Sequence, residues 1–405
     1  MVCLKRFDFR LTFAALFFLS LSFGPSLGAG AKDNKYVSSR KPIVKTGAVV
    51  KSDRRLSVKG TGSTKLKKTT FWNKKPFQFS TPLVSESMIF IGSDSGVFYG
   101  IDANKIKKHW KYEAEGSIQS KAQADGGVVY FGDDKGYAYA LSATDGKEIW
   151  KSFLEWPIVA EPLLSGDRIF FVTERGSLIA LSKADGREIF RTPPIEKAVG
   201  FSIKGGSAPV WSGGLILFGT STGMLLAVRE NGNLAWVKQL ANRQELVYDL
   251  DSKPLIEAGR IFVATADRNV YCLDPNGGNV IWSTSEAGGS NDLTLNAGKL
   301  YATGGGVLSS INADDGSIIW QQDFETPEIS SPAVSQNIAA VISTHDKFYL
   351  VDAETGDILF ERYIKKGSFA DPVFMGDRLY MISNSGVVIS YWVHEKASKP
   401  PKKKT

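Results

Sequence analysis

The sequence predicts an all-β fold: an eight-bladed β-propeller with four-stranded blades, its ring closed by an N-terminal strand pairing with the last blade. Three observations point to it. The segments DGGVVYFGDDKGYAYALSATDGKEIW (125–150), EPLLSGDRIFFVTERGSLIALSKADGREIF (161–190) and KPLIEAGRIFVATADRNVYCLDPNGGNVIW (253–282) share one pattern. An aromatic residue closes each such unit, at Trp110, Trp150, Phe190, Trp236, Trp282, Trp320 and Phe360, with spacings of 40, 40, 46, 46, 38 and 40 residues; self-similarity at such a period marks a repeat array. An eighth unit opens at Asp371-Pro372-Val373, runs through Gly386 to Trp392, and stops before a fourth strand.

Each unit reads in the same order. A short apolar strand, often after proline, turns at glycine into a second; a polar turn leads to a third of the Tyr-Ala-Leu kind, and a turn such as Asp145-Gly146 leads to a fourth ending on the aromatic. Four short strands joined by such turns make one propeller blade. The strand missing from the eighth unit is expected from Thr70-Phe71-Trp72-Asn73, because Trp72 lies 38 residues before Trp110. Pairing it with the last blade removes the exposed edges that invite aggregation. The recurring rings are explained by packing: each one wedged between neighbouring sheets buries roughly 150–250 Å², which at about 25 cal/mol per Å² is worth several kcal/mol per blade before entropy.

The ends differ from the middle. Lys5, Arg6 and Arg10 precede an apolar run, Leu11 to Phe23, and the small triplet Ala29-Gly30-Ala31. That is the order of a secretory signal peptide over 1–31, cleaved after Ala31, and the run is short for a membrane span. Residues 32–70 hold 12 basic and 2 acidic residues with few apolar ones, so a basic flexible linker is expected. The propeller is expected over 71–394, with 29 basic against 38 acidic residues, and a basic tail over 395–405, with 5 against 1. The net charge of +7 therefore sits in the ends, around an acidic propeller. Loss of the signal removes Cys3 and leaves Cys272, in the strand-like run Asn269–Leu273, so a buried structural thiol is expected and a disulfide framework is not. No cysteine directly follows the apolar run, so no lipid anchor is expected.

Residues of catalytic type form no recognisable constellation, and the sequence nominates no catalytic, cofactor-binding or metal-ligating residue. His109, His345 and His394 occupy different repeats without ligand spacing. Asp145, Asp185 and Asp315 each precede glycine, where aspartate caps its own turn by accepting backbone N–H groups. Gly304-Gly305-Gly306 lacks the following lysine and helix of a phosphate loop and reads as a tight turn. The basic ends lack interleaved aromatics, so nucleic acid is not expected as a partner; an anionic envelope surface suits them better, and a solvated linker without a partner better still.

Two departures from the period stand out. The 46-residue spacings put extra residues into consecutive connections, Thr192 to Ser207 before blade four and Val237 to Lys253 before blade five. Connections from an outer strand to the next inner strand all emerge on one face, so these two are expected side by side. The first places Phe201 and Ile203 on one side of an extended run beside Lys204; the second carries Asp249 and Asp251. Apolar and aromatic side chains mixed with charges make up protein-binding patches. Packing of Phe201 and Ile203 under their own loop, with the aspartates shaping a turn, is the alternative.

Over 71–394 the repeat resembles BamB, the outer-membrane protein assembly factor family within the pyrroloquinoline-quinone-like repeat propellers. The more specific likeness lies in Phe201-Ser202-Ile203-Lys204-Gly205-Gly206-Ser207-Ala208-Pro209 and in Asp249-Leu250-Asp251 before Ser252-Lys253-Pro254. Lys204 stands where that family carries arginine. The resemblance implies a non-enzymatic scaffold, at the periplasmic face of the outer membrane, without a cofactor. Its partners would be a BamA-like barrel-inserting protein and unfolded outer-membrane clients. Phe201 and Ile203 would be apolar anchors and Lys204 the charged contact, with Asp249 and Asp251 shaping or extending the surface. A quinone-dependent dehydrogenase-like propeller and an envelope-ligand-binding propeller are the alternatives.

Overall fold

The computed structural model describes residues 52–66, 79–85, 87–195, 206–242, 249–285, 287 and 292–396. Among these, thirty-two strands form eight four-stranded antiparallel sheets. Blades one to seven span 83–113, 123–153, 163–191, 210–239, 255–284, 294–323 and 333–363, each running from inner to outer strand in chain order. Blade eight takes 373–395 and, as its outer strand, Leu56–Lys65. Inner strands of blades six, seven, eight and one touch in succession, so the eight-bladed propeller closes.

Burial follows the strand position. In blade two the middle strands Val128–Gly132 and Tyr137–Ser142 are buried almost throughout, whereas the outer strand Glu148–Phe153 is mostly exposed and buries Trp150. The core lies between blades: the rings of Phe98 in blade one and Phe131 in blade two stack with centroids 4.0 Å apart. Gly305 and Gly306, both at positive φ, make the two-residue hairpin turn of blade six, as their sequence predicts. Cys272 is buried, and burial raises its pKa.

The repeated aromatics are locks between blades. The indole N–H groups of Trp110, Trp150, Trp236, Trp282 and Trp320 donate to the carbonyls of Ala143, Lys183, Pro275, Ala313 and Ala353, at 2.9–3.2 Å, each in the next blade. Each ring also lies on a glycine of that neighbouring turn. A Cβ on Gly146, Gly186 or Gly356 would come within 2.5–2.7 Å of the Trp110, Trp150 or Trp320 ring. These glycines also sit at positive φ, so conformation and close approach both call for the residue.

Closure by an N-terminal strand is as the sequence predicts, but the closing strand lies earlier than expected. Leu56–Lys65 pairs along Val387–Glu395, from Leu56↔Glu395 to Lys65↔Val387. This stretch falls inside the expected linker, whereas Thr70-Phe71-Trp72-Asn73 lies outside the described residues. The reason is an exchange of residues at the lock. Gly62 lies opposite Ser390 and Tyr380, as Trp110 lies opposite Gly100 and Phe90, so glycine stands where other blades carry the ring. The space is filled from blade one by Ile106, at the position that Gly146 holds in the next turn. Ile106 is 2% exposed at φ 49°, and its Cγ1 would lie 3.0 Å from a Cβ on Gly62. Arg54 finishes the junction. It donates to Glu395 Oε1 and Oε2 at 3.1 and 3.0 Å and to the Asn337 carbonyl at 2.8 Å, tying the closing segment to blades eight and seven.

Candidate partner-binding face

Connections from an outer strand to the next inner strand run over nine residues at 114–122, 154–162, 285–293, 324–332 and 364–372, but over 192–209 and 240–254 into blades four and five. The two enlarged connections are those expected from the spacing, with the difference that the outer strand of blade four continues through Gln239. Phe201, Ile203 and Lys204 lie outside the described residues. The residues flanking them show how the two loops are fixed.

Asp249, Leu250 and Asp251 are all buried, at 0%, 0% and 4% exposure. Leu250 packs on Gly219 of blade four, where a Cβ would fall 2.2 Å from its Cδ2, much as Ile118 and Ile158 pack on Gly92 and Gly132. The Leu250 N–H donates to the Thr220 carbonyl at 3.1 Å, and the Asp249 carbonyl accepts from Ala266 N–H at 3.0 Å. Asp251 Oδ1 accepts the N–H of Gly206 at 3.1 Å. One loop is thereby held against the other, across 45 residues of chain. Of the two roles expected for these aspartates, their burial fits shaping the surface rather than forming its exposed part. At the start of the first loop the Ile195 N–H donates to the carbonyl of Arg175, whose guanidinium sits over the Trp156 ring at 4.1 Å.

The segment around Ser207 carries a repeat feature that sequence reasoning missed. Ser207 Oγ accepts from Gly219 N–H at 2.6 Å, and Ser80, Ser120, Ser252 and Ser330 make the same bond to Gly92, Gly132, Ala264 and Ile342. This buried serine is therefore a latch of the blade. The position after it, which follows Asn291 and Ala370 in blades six and eight, links neighbouring blades through polar contacts. Main-chain N–H groups of Lys253, Asp292, Ser331 and Asp371 donate to side chains of Asp292, Ser331, Asp371 and Thr81 in the next blade, at 2.7–3.2 Å. Lys253 Nζ also reaches Glu161 Oε2 of blade three at 3.1 Å, passing blade four, where Ala208 occupies the corresponding position. Lys121 meets the other oxygen of Glu161 at 3.6 Å. The signal was the variable residue that sits between Ser and Pro at Thr81, Ala208, Lys253 and Ser331, a frame that the other blades keep only in part. Among the described residues, no group of three or more His, Cys, Asp or Glu could hold a metal ion.

A family model described as outer membrane protein assembly factor BamB matches residues 107–304 and 304–395. The chain belongs to the BamB family. The BamB of Legionella pneumophila (strain Paris) is 25% identical over 193 residues, covering 46% of this chain and 50% of that protein. The BamB of Escherichia coli (strain K12) is 24% identical over 198 residues, covering 47% and 50%. The matched stretch thus spans about half the length of these relatives. The crystal structure of BamB from Moraxella catarrhalis superposes with a TM-score of 0.71 at 19% identity, over 83% of this chain and 100% of that one. A quinohemoprotein alcohol dehydrogenase from Comamonas testosteroni gives 0.69 at 15% identity, over 85% and 78%. At these identities the structural likeness is one of fold alone, shared by BamB and dehydrogenase propellers.

Proposed function

We propose that the chain is a non-catalytic scaffold in outer-membrane protein assembly, working at the periplasmic face of the outer membrane. On this reading the loops entering blades four and five grip the periplasmic domain of a BamA-like barrel-inserting protein, with unfolded outer-membrane clients held nearby. Membership of the BamB family supports the assembly role. The observation that carries the choice of face is the Gly206–Asp251 hydrogen bond, which sets two enlarged loops side by side. Phe201 and Ile203 supply apolar anchors and Lys204 a charged contact; as lysine it offers a point charge in place of a bidentate fork.

The test is an affinity pull-down from envelope extract with wild type and a Phe201→Ala, Ile203→Ala, Lys204→Glu variant, both checked for folding by circular dichroism. Capture of a barrel-inserting protein by wild type, lost in the variant, is expected. Wild type that captures no assembly component overturns the reading and leaves an envelope-ligand-binding propeller. A quinone-dependent dehydrogenase-like propeller, which shares this fold, is the second reading. That reading requires added quinone and calcium to give the protein a new absorption band beyond the aromatic one.

A further inference from the structure

The repeat supplies its own control for one departure in charge. Outer strands two to seven open with Lys147-Glu148-Ile149, Arg187-Glu188-Ile189, Asn233-Leu234-Ala235, Asn279-Val280-Ile281, Ser317-Ile318-Ile319 and Asp357-Ile358-Leu359, so the second residue is acidic or apolar. Blade one has Lys107-Lys108-His109, all exposed. Its outer strand touches the closing strand of blade eight, where Arg55 and Lys59 are exposed too.

The pairing turns Lys108 and Lys59 toward one another, while Lys107, opposite Asp102, lies on the other flank of its strand. Lys108 lies opposite Ile101, which belongs to the core shared with Tyr380 and Val388 of blade eight, so Lys108 is on the blade-eight flank of its strand. Lys59 lies opposite Trp392. Arg378 sits over that ring at 5.1 Å and reaches Asn104 of blade one at 3.4 Å, so Lys59 is on the blade-one flank. Three carboxylates of this region are already engaged: Glu395 by Arg54, Glu113 by Lys111 at 2.7 Å, and Asp102 by the N–H groups of Asn104 and Lys105.

The same edge is where the chain enters and leaves the propeller, since Lys396 N–H donates to the Arg55 carbonyl at 2.8 Å. In the sequence, residues 32–51 before this edge hold six basic residues and one acidic, and 397–405 after it hold four and none; both stretches lie outside the described residues. This concentration of positive charge belongs to a propeller that is otherwise acidic.

We infer that the edge formed by blades eight and one is a docking surface for a membrane bearing anionic phospholipid headgroups. Lysine acts as a point charge toward scattered phosphates, and basic residues near an anionic leaflet add their attractions. Trp392, 38% exposed beside these lysines, is the kind of amphipathic ring that settles at headgroup level. A broad strand edge without a row of stacking aromatics suits a lipid surface better than nucleic acid. The inference is independent of the partner reading, because vesicles contain no protein.

The experiment is cosedimentation of the chain from residue 32 onward with phosphatidylethanolamine vesicles, with and without phosphatidylglycerol. Binding only to the anionic vesicles, released by high salt, is expected. Lys59→Glu with Lys107→Glu and Lys108→Glu, tails intact, lowers partitioning roughly 100-fold, from about 5-fold per residue. A control with the same charge change on other exposed residues, Lys135→Glu with Arg187→Glu and Lys365→Glu, keeps most of its binding. Equal loss in both variants reduces the effect to net charge and overturns the proposal. So does undiminished binding by the edge variant, which leaves the tails alone responsible, or a stronger affinity for duplex nucleic acid than for vesicles.

Discussion

Glycine at the blade-lock turn is required twice over, by its backbone and by the ring it carries, and a double-mutant cycle can separate the two. Gly356 sits at φ 78°, and a Cβ there would lie 2.7 Å from Cε3 of Trp320. In Gly356→Ala the left-handed conformation costs about 1–2 kcal/mol, and forcing the ring aside adds about 1–3 kcal/mol. Trp320 is 2% exposed and donates to Ala353 at 3.2 Å, so Trp320→Ala costs about 3–5 kcal/mol. With the ring gone, the three atoms nearest that methyl group go with it, and Gly356→Ala then costs mainly its backbone share. The double variant should therefore be about 1–3 kcal/mol more stable than the sum of the singles. Urea unfolding followed by circular dichroism measures all four proteins. Additivity within about 0.5 kcal/mol would refute the claim that ring and glycine form one lock.

Two further outcomes follow from the closing junction. Ile106→Ala, which empties the space facing Gly62, should destabilise by about 2–4 kcal/mol, and amide exchange should quicken first along 56–65; protection lost evenly over all blades would contradict the local role. Hydrogen bonding to Arg54 lowers the pKa of Glu395, so this pairing stabilises the fold above the ordinary carboxylate range and is lost as pH falls through the depressed value. Thermal melts of wild type and Arg54→Gln should therefore differ more at pH 7 than near pH 3, and an equal gap at both would sink the assignment.

What could be read from the sequence, and what could not, divides at the same junction. Seven blades announce themselves because a large ring must recur wherever one sheet wedges on the next. The closing strand carries no such ring: Leu56 and Val58 are its apolar contribution to the core with blade seven, and Gly62 takes the ring's place. A search for tryptophan at the right spacing therefore settles on Trp72 and passes over a glycine-rich strand among lysines. The exchange with Ile106 is invisible until the two positions are brought together. The loops were legible for a similar reason to the blades, since an insertion breaks a period. The burial of Asp249 and Asp251 was not, because aspartate in a loop ordinarily faces water, and only the fold shows that the leucine between them is pulled into blade four.

The pairing of Leu56 with Glu395 also sets an order in time. A chain threaded from its N-terminus delivers the closing strand before any blade and that strand's partner after all the others. Contacts so distant in sequence form slowly, so the first strand must stay unpaired, and guarded from other edges, until seven blades have assembled. A chain cut short before Val387 has no partner for it and keeps an open edge of the kind that aggregates. Ring closure thus acts as a check on completeness, passed only by molecules that have been delivered whole.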